Sequence, residues 1–209
     1  KNKWFEVLHG GGLGSMMTQI NDMDDPDRRR LFVIFDSDAR ADFDAQTGVT
    51  RCDRDGQEFG PSRDSRALRD LCGAGDIEHH QLRRRAIENY LPVEALDLWA
   101  VQEPRSRATR TGRQRDLLHD RVGAFRTLDN EQRAYFNMKK GLARDEKTNE
   151  RGRSPIFESL REEISERLRD GFGEALAELF HPSFEIDHKL LCAQAQELEP
   201  IIERILARI

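Results

Sequence analysis

Cysteine is scarce in this chain, and the three present (Cys52, Cys72 and Cys192) are scattered and odd in number. They form neither a disulfide framework nor a zinc-ligand spacing, and such usage fits a reducing cytoplasm. Long apolar runs are also missing. No stretch approaches the about 20 residues that a membrane-spanning helix needs, and no signal peptide is visible. Excess positive charge is absent: Lys and Arg number 34 against 39 Asp and Glu, a formal net charge of −5. Overall charge therefore gives no pull toward nucleic acid, and a phosphate-binding surface would have to be a local basic patch. The six histidines have no metal-ligand spacing. A P-loop, a dinucleotide fingerprint, an internal repeat and a sustained coiled-coil heptad are all lacking.

What remains is a polar chain of 209 residues, 37% hydrophobic and 35% charged. That length fits one α/β domain, or one domain with a helical appendage, and is enough to bury a core. Trp4–Leu8 reads as a strand, His9–Gly14 as a glycine-rich turn and Leu13–Ile20 as a helix. An acidic turn is expected over Asn21–Asp27, and a buried strand over Leu31–Phe35, where the run is continuously apolar. This order argues for a parallel βαβ unit. Strand-like sequence so soon after Lys1 leads to the expectation that the natural chain begins upstream.

Residues 39–63 read as a long polar surface loop, Ser65–Leu71 as a short helix closed by Gly73 and Gly75, and Ile77–Leu82 as a strand. A helix is expected over Val93–Gln102, a mobile basic loop over 103–116, and helices from Asp116, over Glu131–Arg144 and along Phe157, Leu160, Ile164 and Leu168. A polar break is expected over 145–154. Phe172–Phe180 and Leu190–Ile209 would complete a helical tail. The organisation expected is thus a domain over 1–145 and a helical extension over 154–209.

Asp36 and Asp38 stand where the apolar strand Leu31–Phe35 ends. Ligands in α/β folds bind beyond the carboxyl ends of strands, and residues two apart in extended chain face one side. The pair suits a hard, oxygen-liganded cation such as Mg²⁺ or Mn²⁺. It is equally compatible with an acidic turn that ends the strand, or with an aspartyl nucleophile in phosphoryl transfer. The glycines from Gly10 to Gly14 suit a tight βα turn better than a dedicated phosphate cradle. Arg83-Arg84-Arg85 leads directly into Glu88-Asn89-Tyr90, either as a solvated turn or as a metal-ligating acid flanked by phosphate-binding arginines. Lys139 and Lys140 fit an exposed helix end or a charge-stabilising role at a phosphoryl centre. His79 and His80 fall in a strand and point to opposite faces.

Taken together, the segment Phe32–Asp38, the run Leu82–Pro92 and the later Tyr135–Leu142 resemble the TOPRIM nuclease domain of the OLD (overcoming lysogenization defect) family and related TOPRIM-like defence proteins. The resemblance covers about residues 3–145. It implies a mostly parallel sheet flanked by helices, and a two-metal Mg²⁺ or Mn²⁺ site. Asp36, Asp38 and Glu88 match the metal-binding acids, Lys139 or Lys140 matches the late lysine, and Arg84 and Arg85 would contact the nucleic-acid backbone. The first glutamate of the family pattern has no counterpart here, since it ends a strand that precedes the one at Trp4. The implied activity is endonucleolytic hydrolysis of phosphodiester bonds, of DNA rather than RNA, in cytoplasmic antiphage defence. The implied partner is an ABC-type ATPase domain or subunit, in an oligomeric assembly away from membranes. The missing glutamate motivates an alternative: a non-catalytic TOPRIM-like module that docks on and regulates an ATPase. A phosphotransferase with Asp36 as nucleophile is a third possibility, weakened because Ala39-Arg40 follows Asp38.

Overall fold

The computed structural model describes residues 12–43, 59–101, 111–143, 154–173 and 188–207, together with Leu176 and Leu179. The described chain is helix-rich and mixed, with a small parallel sheet of two strands. The strand expected at Trp4–Leu8 lies outside the described residues.

Helix α1 (Leu13–Asp22) places Leu13, Met16, Met17 and Ile20 on one face by their helical spacing. That face packs against Val33, Phe35, Leu68, Cys72 and Ile77. The expected acidic turn is shorter than 21–27, because α1 runs on to Asp22 and Pro26 opens a one-turn helix, α2 (Asp25–Arg28). Proline suits that first-turn position, where its missing N–H costs nothing.

Strand β1 (Phe32–Phe35) buries Val33 and Phe35 against this core. Helix α3 (Arg63–Ala74) then crosses to strand β2 (Glu78–Gln81), which pairs in parallel with β1 in the register Phe32–Glu78 to Phe35–Gln81. This βαβ unit begins at the second strand of the one read from sequence, whose first strand lies outside the described residues. Helix α3 starts before Ser65 because the Ser62 hydroxyl caps it, accepting from the Ser65 N–H at 3.1 Å.

The loop expected over 39–63 is not wholly at the surface. Ala39, Ala41, Phe43 and Phe59 are buried, and the N–H groups of Arg40 and Ala41 both donate to the Phe59 carbonyl. Residues 44–58 lie outside the description. A 3₁₀ turn at Ile87–Tyr90 follows β2. Next come α4 (Val93–Val101), α5 (Gly112–Arg126) and α6 (Asn130–Tyr135). Residues 111–116 are not loop: Thr111 and Gln114 form a capping box that starts α5. Helix α6 is far shorter than 131–144. Its C-cap, Phe136, is extended, which turns that ring into the core beside Phe125 at 5.6 Å between centroids.

The larger core joins α4 and α5 to Phe136, Met138, Leu142, Phe157, Leu168 and Phe172. Residues on both sides of the 144–153 gap in the description therefore share one core. The amphipathic helix expected through Phe157–Leu168 is two pieces, a 3₁₀ turn at Pro155–Phe157 and α7 (Glu162–Arg167). The tail likewise divides into α8 (His188–Gln194) and α9 (Glu199–Leu206), with Pro200 in the first turn of α9. No helix among the described residues is long and apolar enough to cross a membrane.

Candidate metal centre

The end of β1 is tied from two sides. The Asp36 carbonyl accepts from the Ser65 hydroxyl of α3 at 2.9 Å. The buried Ser37 hydroxyl donates to the Arg84 carbonyl at 2.8 Å, and the Asp38 N–H to the Arg85 carbonyl at 2.8 Å. Asp38 adopts a left-handed conformation, φ 52°, which aspartate tolerates better than most residues. The chain thus turns sharply after the first acid. The two carboxylates reach one cavity through this turn rather than through simple strand alternation.

The segment after β2 supplies the third acid. Asn89 is buried and holds this segment to α6: its Nδ2 donates to the carbonyls of Arg133 (2.8 Å) and Phe136 (2.9 Å), while its Oδ1 accepts from the Ala86 N–H (3.1 Å). The 3₁₀ turn so anchored presents Glu88, and its Ile87 N–H donates to Asp36 Oδ1 at 3.0 Å.

The lysines come from a third place. Asn137 closes the turn after α6, its Oδ1 accepting from the Lys140 N–H at 2.9 Å. This turn lies against residues 168–173. Phe172 and Gly173 donate to the carbonyls of Met138 and Lys139, and Leu142 and Ala143 donate to those of Leu168 and Arg169. The approach is so close that a Cβ on either Gly141 or Gly171 would overlap the opposing backbone. Gly141 also has φ 71°, the left-handed region that glycine occupies freely.

Asp36, Asp38, Arg85, Glu88, Lys139 and Lys140 all line one cavity of about 150 Å³. Six of the seven residues singled out from sequence therefore meet. Arg84 does not. It faces a second, larger cleft of about 570 Å³, stacks 4.8 Å from the centre of the Tyr90 ring, and donates to the Asn89 carbonyl and to Gln194.

The electrostatics are those of crowded carboxylates. The Asp36 carboxyl is pushed up to about 6, first by loss of water and then by the negative charge of Glu88. Asp38 is exposed as a residue, yet loss of water around its carboxylate raises it too, against the pull of Arg85 and Lys139. Asp64, in the first turn of α3, adds to the rise at Asp38 and is a fourth acid in range. Glu88 has a side chain only 6% exposed and pairs through Oε1 with Lys139 Nζ at 2.8 Å. Its other oxygen, Oε2, is buried with no hydrogen-bond partner. A buried carboxylate oxygen left without a partner is expensive.

The donor set is carboxylate oxygen throughout, which fits Mg²⁺ or Mn²⁺ and not a soft metal. The geometry is open, however. Among the described residues no group of three or more His, Cys, Asp or Glu is drawn together closely enough to hold a metal ion. Of the glycine turn, Gly12 caps α1 with φ 127°, and residues 9–11 lie outside the description. Sequence reading missed Asp64, Asn89 as an anchor, and Gly171. Asp64 and Gly171 carry no local signal, whereas Asn89 lay inside a run already conspicuous for its polarity.

Comparison with family models, with curated proteins and with solved structures finds no match to this chain.

Proposed function

We propose that this chain is a TOPRIM-type, metal-dependent endonuclease module that hydrolyses nucleic-acid phosphodiester bonds, DNA in preference to RNA. The observation that carries the reading is that Asp36, Asp38 and Glu88, whose Oε2 is buried without a hydrogen-bond partner, line one cavity together with two lysines. Asp36, Asp38 and Glu88 would hold Mg²⁺ or Mn²⁺. Bound there, the ions would supply an activated water and Lewis-acid stabilisation of the scissile phosphate. This chain's own residues do the rest. Ile87 N–H orients the Asp36 carboxylate, and the Ser37 and Asp38 hydrogen bonds fix the turn that delivers Asp38. Lys139 and Lys140 place positive charge where the phosphate gains negative charge, and Arg85 holds the backbone beside them.

The resemblance of the Asp36–Asp38, Leu82–Pro92 and Tyr135–Leu142 segments to the OLD family extends the proposal to an ABC-type ATPase partner and a role in antiphage defence. The test is nicking of supercoiled plasmid by the full-length protein in Mg²⁺ or Mn²⁺. Cleavage should depend on the metal and vanish in Asp36→Ala. Cleavage that survives Asp36→Ala would overturn the reading.

One observation favours a second reading. The Lys139–Glu88 ion pair already neutralises one acid, and the carboxylates do not converge into a closed set among the described residues. A non-catalytic module that docks on an ATPase would show this. It predicts no metal binding by calorimetry alongside a stable ATPase complex.

A further inference from the structure

The Lys139 ammonium sits 2.8 Å from Glu88 Oε1, on the same cavity as Asp36 and Asp38. Its positive charge also bears on both aspartates, opposing the rise of each carboxyl. One lysine thus serves as counter-ion to all three acids. The two ends of this side chain differ sharply in freedom. Its backbone is fixed, because Met138 and Lys139 accept hydrogen bonds from Phe172 and Gly173, and Gly171 abuts the Lys139 backbone. Its side chain is 38% exposed, against 6% for Glu88. The flexible four-carbon stem can swing outward while the turn that carries it stays still. Glu88 has no such route.

A divalent cation and the ammonium compete for the same oxygens. A cation that takes Glu88 Oε1 displaces Lys139 from it, and like-charge repulsion drives the ammonium to the cavity mouth. We propose that Lys139 is a resident counter-ion exchanged for the divalent cation, so that metal binding itself delivers the lysine charge to the cavity mouth where a phosphate would lie. The proposal rests on the metal-site reading above and adds an order of events to it. Apo protein holds Glu88 paired with Lys139, and the charge that would meet substrate is released only when metal arrives. Apparent metal affinity is reduced by the fraction of molecules in which the ion pair is closed.

The experiment is calorimetric titration of MnCl₂ into the full-length protein, its Lys139→Met variant and its Asp36→Asn variant. Alongside it, amine labelling of Lys139 in the wild type is followed by mass spectrometry with and without Mn²⁺. Exchange predicts that Lys139→Met binds Mn²⁺ at least about tenfold more tightly than wild type. It also predicts that Mn²⁺ speeds labelling of Lys139 in the wild type but not in Asp36→Asn. Wild-type binding that Lys139→Met leaves unchanged or weakens, with labelling indifferent to Mn²⁺, overturns the exchange while the metal site stands. Absence of Mn²⁺ binding in both wild type and Lys139→Met overturns the exchange and the metal reading together.

Discussion

Ile87 donates its backbone N–H to Asp36 Oδ1 at 3.0 Å, joining the end of β1 to the 3₁₀ turn that carries Glu88. This bond favours the ionised carboxylate, yet it loses to burial and to the charge of Glu88, and the Asp36 carboxyl stands at about 6. The folded value lies above the ordinary 3.8, so the folded state binds the proton more tightly. Stability then falls as pH rises from about 4 to about 6 and stays reduced above that. Asp36→Asn keeps the acceptor and removes the charge. It is expected to stabilise the protein at pH 7.5 by on the order of 1–3 kcal/mol, with the gain fading toward pH 4. Urea denaturation at the two pH values measures this, and a loss of stability at pH 7.5 would contradict it.

Asn89 joins two chain segments remote in sequence, its own 3₁₀ turn and the end of α6. Truncation to alanine leaves the Arg133 and Phe136 carbonyls and the Ala86 N–H without their partner. Asn89→Ala should cost at least about 2 kcal/mol in denaturant unfolding. It should also loosen the turn that presents Glu88, visible as faster amide exchange at Leu91, whose N–H is bonded to the Glu88 carbonyl.

Glycine substitutions should separate sharply by position. A methyl group on Gly171 meets the Lys139–Lys140 backbone, which cannot yield without breaking the clasp around residues 138–143. Gly171→Ala is expected to destabilise by about 3 kcal/mol or more. Gly123 lies inside α5 with open space where a Cβ would stand. Gly123→Ala should be neutral or stabilise by up to about 1 kcal/mol. Equal melting shifts for the two variants would refute the packing argument.

Glu197 binds the tail to the sheet. It accepts from the Tyr90 hydroxyl and the Arg83 N–H and shares a hydrogen bond with His80 Nε2 at 2.6 Å. Burial alone would raise this carboxyl, but the bonds from His80, Tyr90 and Arg83 outweigh it and hold the group below its ordinary 4.5. Depression of a folded acid contributes stability above the unfolded value, and that stability is lost as pH falls through the folded value. Hydrogen exchange in Glu199–Leu206 should therefore accelerate in acid before the core opens. Glu197→Gln should bring the same acceleration to neutral pH.

The legible parts of this molecule were those written in short-range pattern. The apolar run before Asp36 announced β1, and the spacing of Leu13, Met16, Met17 and Ile20 announced α1. The grouping of Asp36, Asp38, Glu88, Arg85, Lys139 and Lys140 was legible only through the resemblance of their segments to a known arrangement. Elsewhere tertiary demand overrode local propensity. Residues after Tyr135 have helical composition, but the Phe136 ring must enter the core, so the chain leaves the helix there. Polar composition over 39–63 suggested surface loop, yet Ala39, Phe43 and Phe59 are the packed minority within it. Asp64 and Gly171 matter through segments remote in sequence, a relationship no local window contains.

Arg83, Arg84 and Arg85 are chemically identical and adjacent, yet only Arg85 lines the acid cavity, while Arg84 and the exposed Arg83 line the cleft beneath the tail. Their order in the run is therefore an address. Deletion of a single arginine would remove only one of the three charges of the run, but the survivors would be delivered one position out of step, with the wrong guanidinium at each door.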